Sequence, residues 1–323
     1  MLTRREFLFT TASAVALGAL APVDELAAQT VDSMRIFVPA APGGGWDQTG
    51  RTMEAVLKQT GMVKNFQIEN VGGAGGTVGL PRFVAMRGRE NTLMVGGMVM
   101  VGAILANKSP VNLTQVTPIA RLTGEFEAIV VPAASPHKTM KDLAAALKKD
   151  AGAVSWAGGS AGGTDHILVG MIAEAVGADP RKTSYVAYAG GGEAIAAIIG
   201  NQVTAGVSGY GEFAEQVKAG KMRVLAISSD KRIPGIDAPT LKEEGIDVEL
   251  FNWRGVFAPP GISNAHRDQL VQLITKMYNS AEWQAELKKR DWTGILMTGD
   301  QYANYIKSET TRIEAILKRL GLA

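Results

Sequence analysis

Apolar positions along this chain alternate between two spacings. Short runs such as Met34–Pro39, Leu93–Val95, Ala128–Val131, Ala153–Ala157, Val203–Val207 and Arg223–Ser228 read as strands. Between them, apolar residues recur at helical spacing. Met53, Val56 and Leu57 fall at i, i+3 and i+4, and Gly61 closes the segment, which predicts a helix over Asp47–Thr60. Thr139–Lys149, Asp165–Val176, Gly192–Ile199 and Ala265–Lys289 read the same way. The stretch Ser263–Leu322 is nearly all helical, with a break near Thr293–Gly299. Strand-like and helix-like runs in alternation predict an α/β fold with helices on the faces of a sheet.

The first residues stand outside that pattern. Thr3-Arg4-Arg5-Glu6-Phe7-Leu8 is a twin-arginine export signature, followed by an apolar run, Phe9–Ala21, of about 13 residues, too short to span a membrane. Leu26-Ala27-Ala28 offers small residues for cleavage, which makes 1–28 an export signal and places the mature start near Gln29. The general secretory route and an uncleaved anchor are the alternatives. The expected location is the periplasm.

Composition narrows the class. Cysteine is absent, which excludes a lipid anchor on an N-terminal Cys and any disulfide, so stability must come from the core. The chain is 46% hydrophobic. The roughly 295 residues left after cleavage suit two domains. A net charge of +2 makes nucleic acid an unexpected partner. No linker divides the chain. The expected domains are therefore joined by crossing strands near Glu127–Val131 and Trp253–Ala258. Residues 29–127 plus 254–323 form the first domain, and 128–253 form the second as an insertion.

Candidate chemistry gathers at four glycine clusters: Gly43–Gly45, Gly72–Gly79, Gly158–Gly163 and Gly190–Gly192. The first is strand–GGG–WD–helix, and the third is strand–GGSAGG–TDH–helix. Each ends on a helix N-terminus, where free N–H groups and the positive end of the dipole favour an anion. One falls in each expected domain, so the two could grip a small anion across a cleft, glycine letting it approach the backbone.

Two enzyme motifs nearly fit. Gly45, Gly50, Arg51 and Thr52 spell G-x-x-x-x-G-R-T, one letter from a nucleotide phosphate loop, but Gly50 and Arg51 fall inside the predicted helix. Gly158-Gly159-Ser160-Ala161-Gly162 matches the G-x-S-x-G nucleophile elbow, but only His266 lies far enough downstream to serve as its base. Three scattered histidines without cysteine give no metal-ligand spacing. The chain reads as a binding protein without catalytic residues, cofactor or metal.

The segments PGGGWDQTGR, ENVGGAGGTVG, GGSAGGTDHI, YAGGGEAI and NWRGVFAPPGI, in this order from about Met34 to Ile262, resemble the substrate-binding subunits of tripartite tricarboxylate transporters, the Bug-type periplasmic binding proteins. The GGGWD form resembles the citrate-binding branch. The resemblance implies a two-domain periplasmic binding protein fold with a ligand cleft between domains. It implies a di- or tricarboxylate held by the loops Pro42–Asp47 and Gly158–His166, and delivery to a large and a small membrane subunit. Expected ligand-binding residues are Gly43, Gly44, Gly45, Trp46 and Asp47 in the first loop. In the third cluster they are Gly159, Ser160, Gly162, Thr164, Asp165 and His166. Gly75, Gly76, Thr77, Tyr188, Gly190, Ser208 and Tyr210 are further lining candidates. Neutral donors are expected to carry the grip, because buried charge pairs are costly. Asp47 either caps its helix or orients a ligand hydroxyl. The receptor, expected as a monomer, serves transport or else a membrane-bound sensor.

Overall fold

The computed structural model describes residues 31–188 and 191–323. The expected export signal, residues 1–28, and the expected lining residue Gly190 lie outside them. In chain order the first elements are β1 (Val31–Val38), α1 (Gly45–Gln59), β2 (Val63–Asn70), α2 (Gly79–Val84), β3 (Thr92–Gly97), α3 (Met98–Ala106) and β4 (Thr117–Pro132). Next come α4 (Met140–Lys149), β5 (Ser155–Gly158), α5 (Thr164–Ala175), β6 (Ser184–Ala187), α6 (Gly191–Ile199), β7 (Ala205–Gly209), α7 (Tyr210–Lys218) and β8 (Met222–Ile227). The chain ends with β9 (Phe251–Ala258), α8 (Asn264–Asn279), α9 (Ala281–Lys289), β10 (Thr293–Thr298) and α10 (Gly299–Leu320).

The strands join in the order β2-β1-β3-β9-β4-β7-β5-β6, with β10 and β8 also paired to β4. β4 is the pivot. Its Thr117–Phe126 portion pairs antiparallel with β9, from Thr117 opposite Ala258 to Phe126 opposite Phe251. From Glu127 onward its partners are β7 and β8, with Glu127 opposite Gly209 and Pro132 opposite Met222. One 16-residue strand thus ties the two halves of the sheet. Its Ala128–Val131 stretch is apolar and completely buried, while the portion before it carries Arg121, Thr123, Glu125 and Glu127.

The two βα units that matter most repeat one design. β1 is parallel to both β2 and β3, and β5 is parallel to both β6 and β7. Parallel strands flanked by helices leave their C-terminal ends facing one crevice, and ligands in open α/β sheets lie there. A large core runs from Phe37 and Leu57 through Trp156 and Ile167 to Trp253 and Leu317. A smaller core beneath β7 and β8 holds Ile198, Phe213 and Ile227. The end of α10 reaches the other half of the sheet: the Leu320 side chain fills the space over Gly170, and Arg319 Nε donates to Glu174 Oε1 at 3.2 Å.

Two expectations change. The helix anticipated over Ala265–Lys289 is two helices, α8 and α9, divided at Ser280. Ser280 takes an extended ψ of 150°, its Oγ donates to Met277 O at 2.6 Å, and Oγ also accepts from Trp283 N at 3.3 Å. A serine that closes one helix and caps the next overrides the apolar periodicity running through it. The break near Thr293–Gly299 is strand β10, antiparallel to β4. β2 and β6 pair with the sheet on one side only, and their polar residues dilute the apolar signal.

Candidate functional site

The first loop leaves β1 at Val38 and enters α1 at Gly45. Gly44, extended at φ −75°, is the N-cap and supplies no side chain, so the N–H groups of the first turn stay free of a side-chain cap. Asp47, expected as that cap, sits three residues further in, within the first turn, and does a different job. Its Oδ2 accepts from Gly43 N at 2.9 Å and from Arg51 Nε at 2.8 Å, and its Oδ1 accepts from Asn70 Nδ2 at 2.9 Å. Burial pushes this carboxyl up, but the bonds from Arg51, Gly43 and Asn70 outweigh it and hold the group below the usual carboxylate range. Asp47 folds the loop back and fastens it to β2. The glycine turn Gly73–Gly76 packs beside it: Gly76, at φ +91°, lets the chain pass under Trp46, where a Cβ would meet the indole at 2.8 Å.

The second loop leaves β5 at Gly158 and enters α5 at Thr164, with Gly163 as N-cap. Three side chains hold it. Asp165 Oδ2 accepts from Gly159 N at 2.6 Å, Tyr185 OH donates to Gly159 O at 2.9 Å, and His166 Nδ1 accepts from Gly162 N at 3.1 Å. Gly162 takes a left-handed φ of +72°. The His166 ring stacks on Tyr185 at 4.1 Å with an interplanar angle of 4°. Burial lowers His166 to about 4, so at neutral pH it is the uncharged acceptor that this bond needs. Burial raises Asp165 to about 7, against the lowering effect of the Gly159 amide.

Between these loops lies a cavity of about 460 Å³. Of the residues expected to bind, Gly44, Gly45, Trp46, Gly75, Gly76, Gly159, Ser160, Thr164, Asp165, Tyr188 and Ser208 line it. Gly43, Asp47, Thr77, Gly162, His166 and Tyr210 do not. Asp47 and His166 act from behind the loops as described, on Gly43 and Gly162. Thr77 turns its hydroxyl to Ala74 O at 2.8 Å, and Tyr210 packs against the smaller core.

Charged lining residues escaped the sequence reading, which expected neutral donors. Arg254 and Glu212 face the cavity, and the amide of Asn252 lines it beside them. Arg254 is 3% exposed and ion-paired with buried Glu125. Its guanidinium also lies 5.5 Å from the centre of the Trp292 ring. Glu127 is completely buried, and neither carboxyl oxygen has a hydrogen-bond partner. Burial first, then the neighbouring Asp165, Glu125 and Glu212, push its carboxyl well up. Glu212 is also raised, by burial and by Glu125. The signal was available as a period of two: Glu125 and Glu127 on β4, Asn252 and Arg254 on β9. Alternate residues of a strand share a face, and the pairing Glu125–Asn252 brings those faces side by side.

The arrangement does not complete the nucleophile-elbow reading of Ser160. Ser160 has no base placed for it: His166 is committed to Gly162, and His266 Nε2 accepts from Asn91 N at 3.1 Å. Among the described residues, no three His, Asp or Glu side chains are placed to hold a metal, and no helix is long and apolar enough to cross a membrane.

Known proteins agree with this reading. A UPF0065 protein in the gbd 5' region of Cupriavidus necator is 27% identical over 335 residues, covering 99% of this chain and 98% of its own. The periplasmic binding protein BugD superposes with a TM-score of 0.80 at 24% identity, over 90% of this chain and 98% of its own. MatC from Rhodopseudomonas palustris with bound malate gives 0.77 at 23% identity, over 89% and 99%. The fold is therefore the two-domain fold of periplasmic binding proteins, with the cleft between domains. The profile described as the tripartite tricarboxylate transporter family receptor matches residues 49–322. The chain belongs to this family of solute-binding receptors, which are not enzymes.

Proposed function

We propose that this protein captures a small carboxylate in the cleft and hands it to the membrane subunits of a tripartite transporter. One observation carries the reading: two glycine turns, each opening a helix without a side-chain cap, line the same cavity from opposite halves of the sheet. Free first-turn amides of α1 and α5 would accept carboxylate oxygens. Ser160 and Thr164 offer hydroxyls on one side, Arg254 a guanidinium on the other. The malate in MatC, a protein of the same fold, supports the ligand class. Citrate, the ligand of the branch that the sequence resembles, is the tricarboxylate to include.

The proposed domains are 29–127 with 254–323, and 128–253. The change of β4 partners at Glu127 supports the boundary, and β4 and β9 would serve as the hinge. Capture takes place in the periplasm after export directed by residues 1–28, and the receptor acts as a monomer. Titration calorimetry with malate, succinate and citrate tests the reading. Micromolar binding of at least one, about −8 kcal/mol, is expected. Binding of sugars or polyamines with no response to any carboxylate would overturn it.

A further inference from the structure

Helix α3 stands between two cavities. One flank packs on both glycine loops of the cleft: Gly75 leaves room for Ala103 Cβ, and Gly102 leaves room for the carbonyl of Gly162. The sequence of the helix, MVMVGAILA, is apolar all round, and such a helix is ordinarily covered on every side. The other flank of α3 is not covered. Val101, Ile104 and Leu105 open on a second cavity of about 580 Å³, walled on its far side by Leu113 and by Ile306 of α10. Ile104 and Leu105 are only half-buried. The space is large enough for a small organic molecule, and it shares no lining residue with the cleft.

Two ammonium groups line this cavity, Lys108 just after α3 and Lys307 on α10. No acid lines it, so neither has a counter-ion there. The neighbouring hydroxyls are spent on the backbone. Ser109 Oγ donates to Val111 O at 2.8 Å, Thr310 Oγ1 to Ile306 O at 2.8 Å and Thr311 Oγ1 to Lys307 O at 3.2 Å. Lys108 holds a left-handed φ of +50°, at the position past a helix end where glycine is the usual residue. A long cationic side chain thus stands where the backbone favours none. We propose that this cavity is a second ligand site, for an aliphatic monocarboxylate of medium chain length. Its hydrocarbon body covers Ile104, Leu105 and Ile306, and its carboxylate faces Lys108 and Lys307. A dicarboxylate would leave its second charge on the apolar floor, and a sugar would leave hydroxyls there without partners, both at a cost in free energy. A plain hydrocarbon would leave the two ammonium groups without a counter-charge. The occupant rests on the helix whose opposite flank supports Gly75 and Gly162, so the cleft and the second site share a wall.

Calorimetry at pH 7.5 with octanoate, butanoate and octan-1-ol tests the site. Butanoate keeps the charge and lacks four methylenes; octan-1-ol keeps the chain and lacks the charge. Octanoate is expected to bind about tenfold more tightly than either, through the apolar area it covers and the ion pairs it forms. The double variant Lys108→Gln, Lys307→Gln changes two exposed residues. It is expected to bring octanoate down to the affinity of octan-1-ol while leaving malate binding unchanged, and its melting curve checks that it is folded. Octan-1-ol matching octanoate in the wild type would overturn the role of the lysines, and butanoate matching octanoate would overturn the role of the floor. Octanoate that is displaced by saturating malate and indifferent to the double variant sits in the cleft, which would also overturn the proposal. No octanoate binding at all would overturn it too, and would leave the carboxylate reading of the cleft intact.

Discussion

The guanidinium of Arg254 lies so close to the backbone of Gly45 that a Cβ there would stand 2.5 Å from Nη2. The cleft's cation and the free end of α1 therefore occupy one place, and glycine is what permits it. Gly45→Ala should push Arg254 off that position and weaken carboxylate binding about tenfold, or about 1.4 kcal/mol. Gly192→Ala is the control, since a Cβ at Gly192 meets nothing within 4 Å. Calorimetry of the two variants should show loss in the first only.

Asp165 gives the ligand-free protein a pH-dependent stability. Its carboxyl, ordinarily near 3.8, reaches about 7 in the fold. Between those values the folded protein holds the extra proton, so stability falls as pH rises through the window. His166 works the other way: lowered from 6.5 to about 4, it adds stability as pH rises between those values and is flat above 6.5. From pH 6.5 to 8, Asp165 is thus unopposed by His166. The melting temperature should fall by a few degrees across that range, the response to about 1 kcal/mol in a chain of this size. Asp165→Asn should flatten the slope in differential scanning calorimetry.

Asp47 stabilises the first loop from behind. Asp47→Ala strands Gly43 N, Arg51 and Asn70 and should cost about 1–3 kcal/mol in denaturant unfolding. Asp47→Asn keeps one acceptor oxygen and should fall between alanine and wild type. Because the carboxyl does not line the cavity, both variants should weaken malate and succinate by the same factor. A selective loss of malate would return Asp47 to the role of orienting a ligand hydroxyl.

Ser280 divides α8 from α9 by capping. Ser280→Ala should lower stability by about 1 kcal/mol and leave ligand affinity unchanged, because the serine does not line the cavity. Thermal unfolding paired with calorimetry reads both quantities.

How much of this was legible beforehand depended on how local the cause was. The helix over Gly45–Gln59 follows from Met53, Val56 and Leu57, whose spacing is local, and the glycine turns at Gly43–Gly45 and Gly158–Gly163 announce helix starts without side-chain caps. The positions of the two loops, and the neutral amides they present, were therefore readable in the amino-acid order. Only the tertiary structure decided which acids touch what. Asp47 and Asp165 look alike in sequence, each in the first turn after a glycine run, yet Asp47 is paired with Arg51 and Asn70 while Asp165 faces the cavity. The same holds for Arg254 and Glu125, 129 positions apart, which meet because β9 and β4 are neighbours in the sheet. Backbone conformation is set by residues a few places away, whereas the electrostatics of a buried cleft are set by whichever strands lie side by side: the period of two on β4 and β9 marks a face of each strand but not which strand lies next to it.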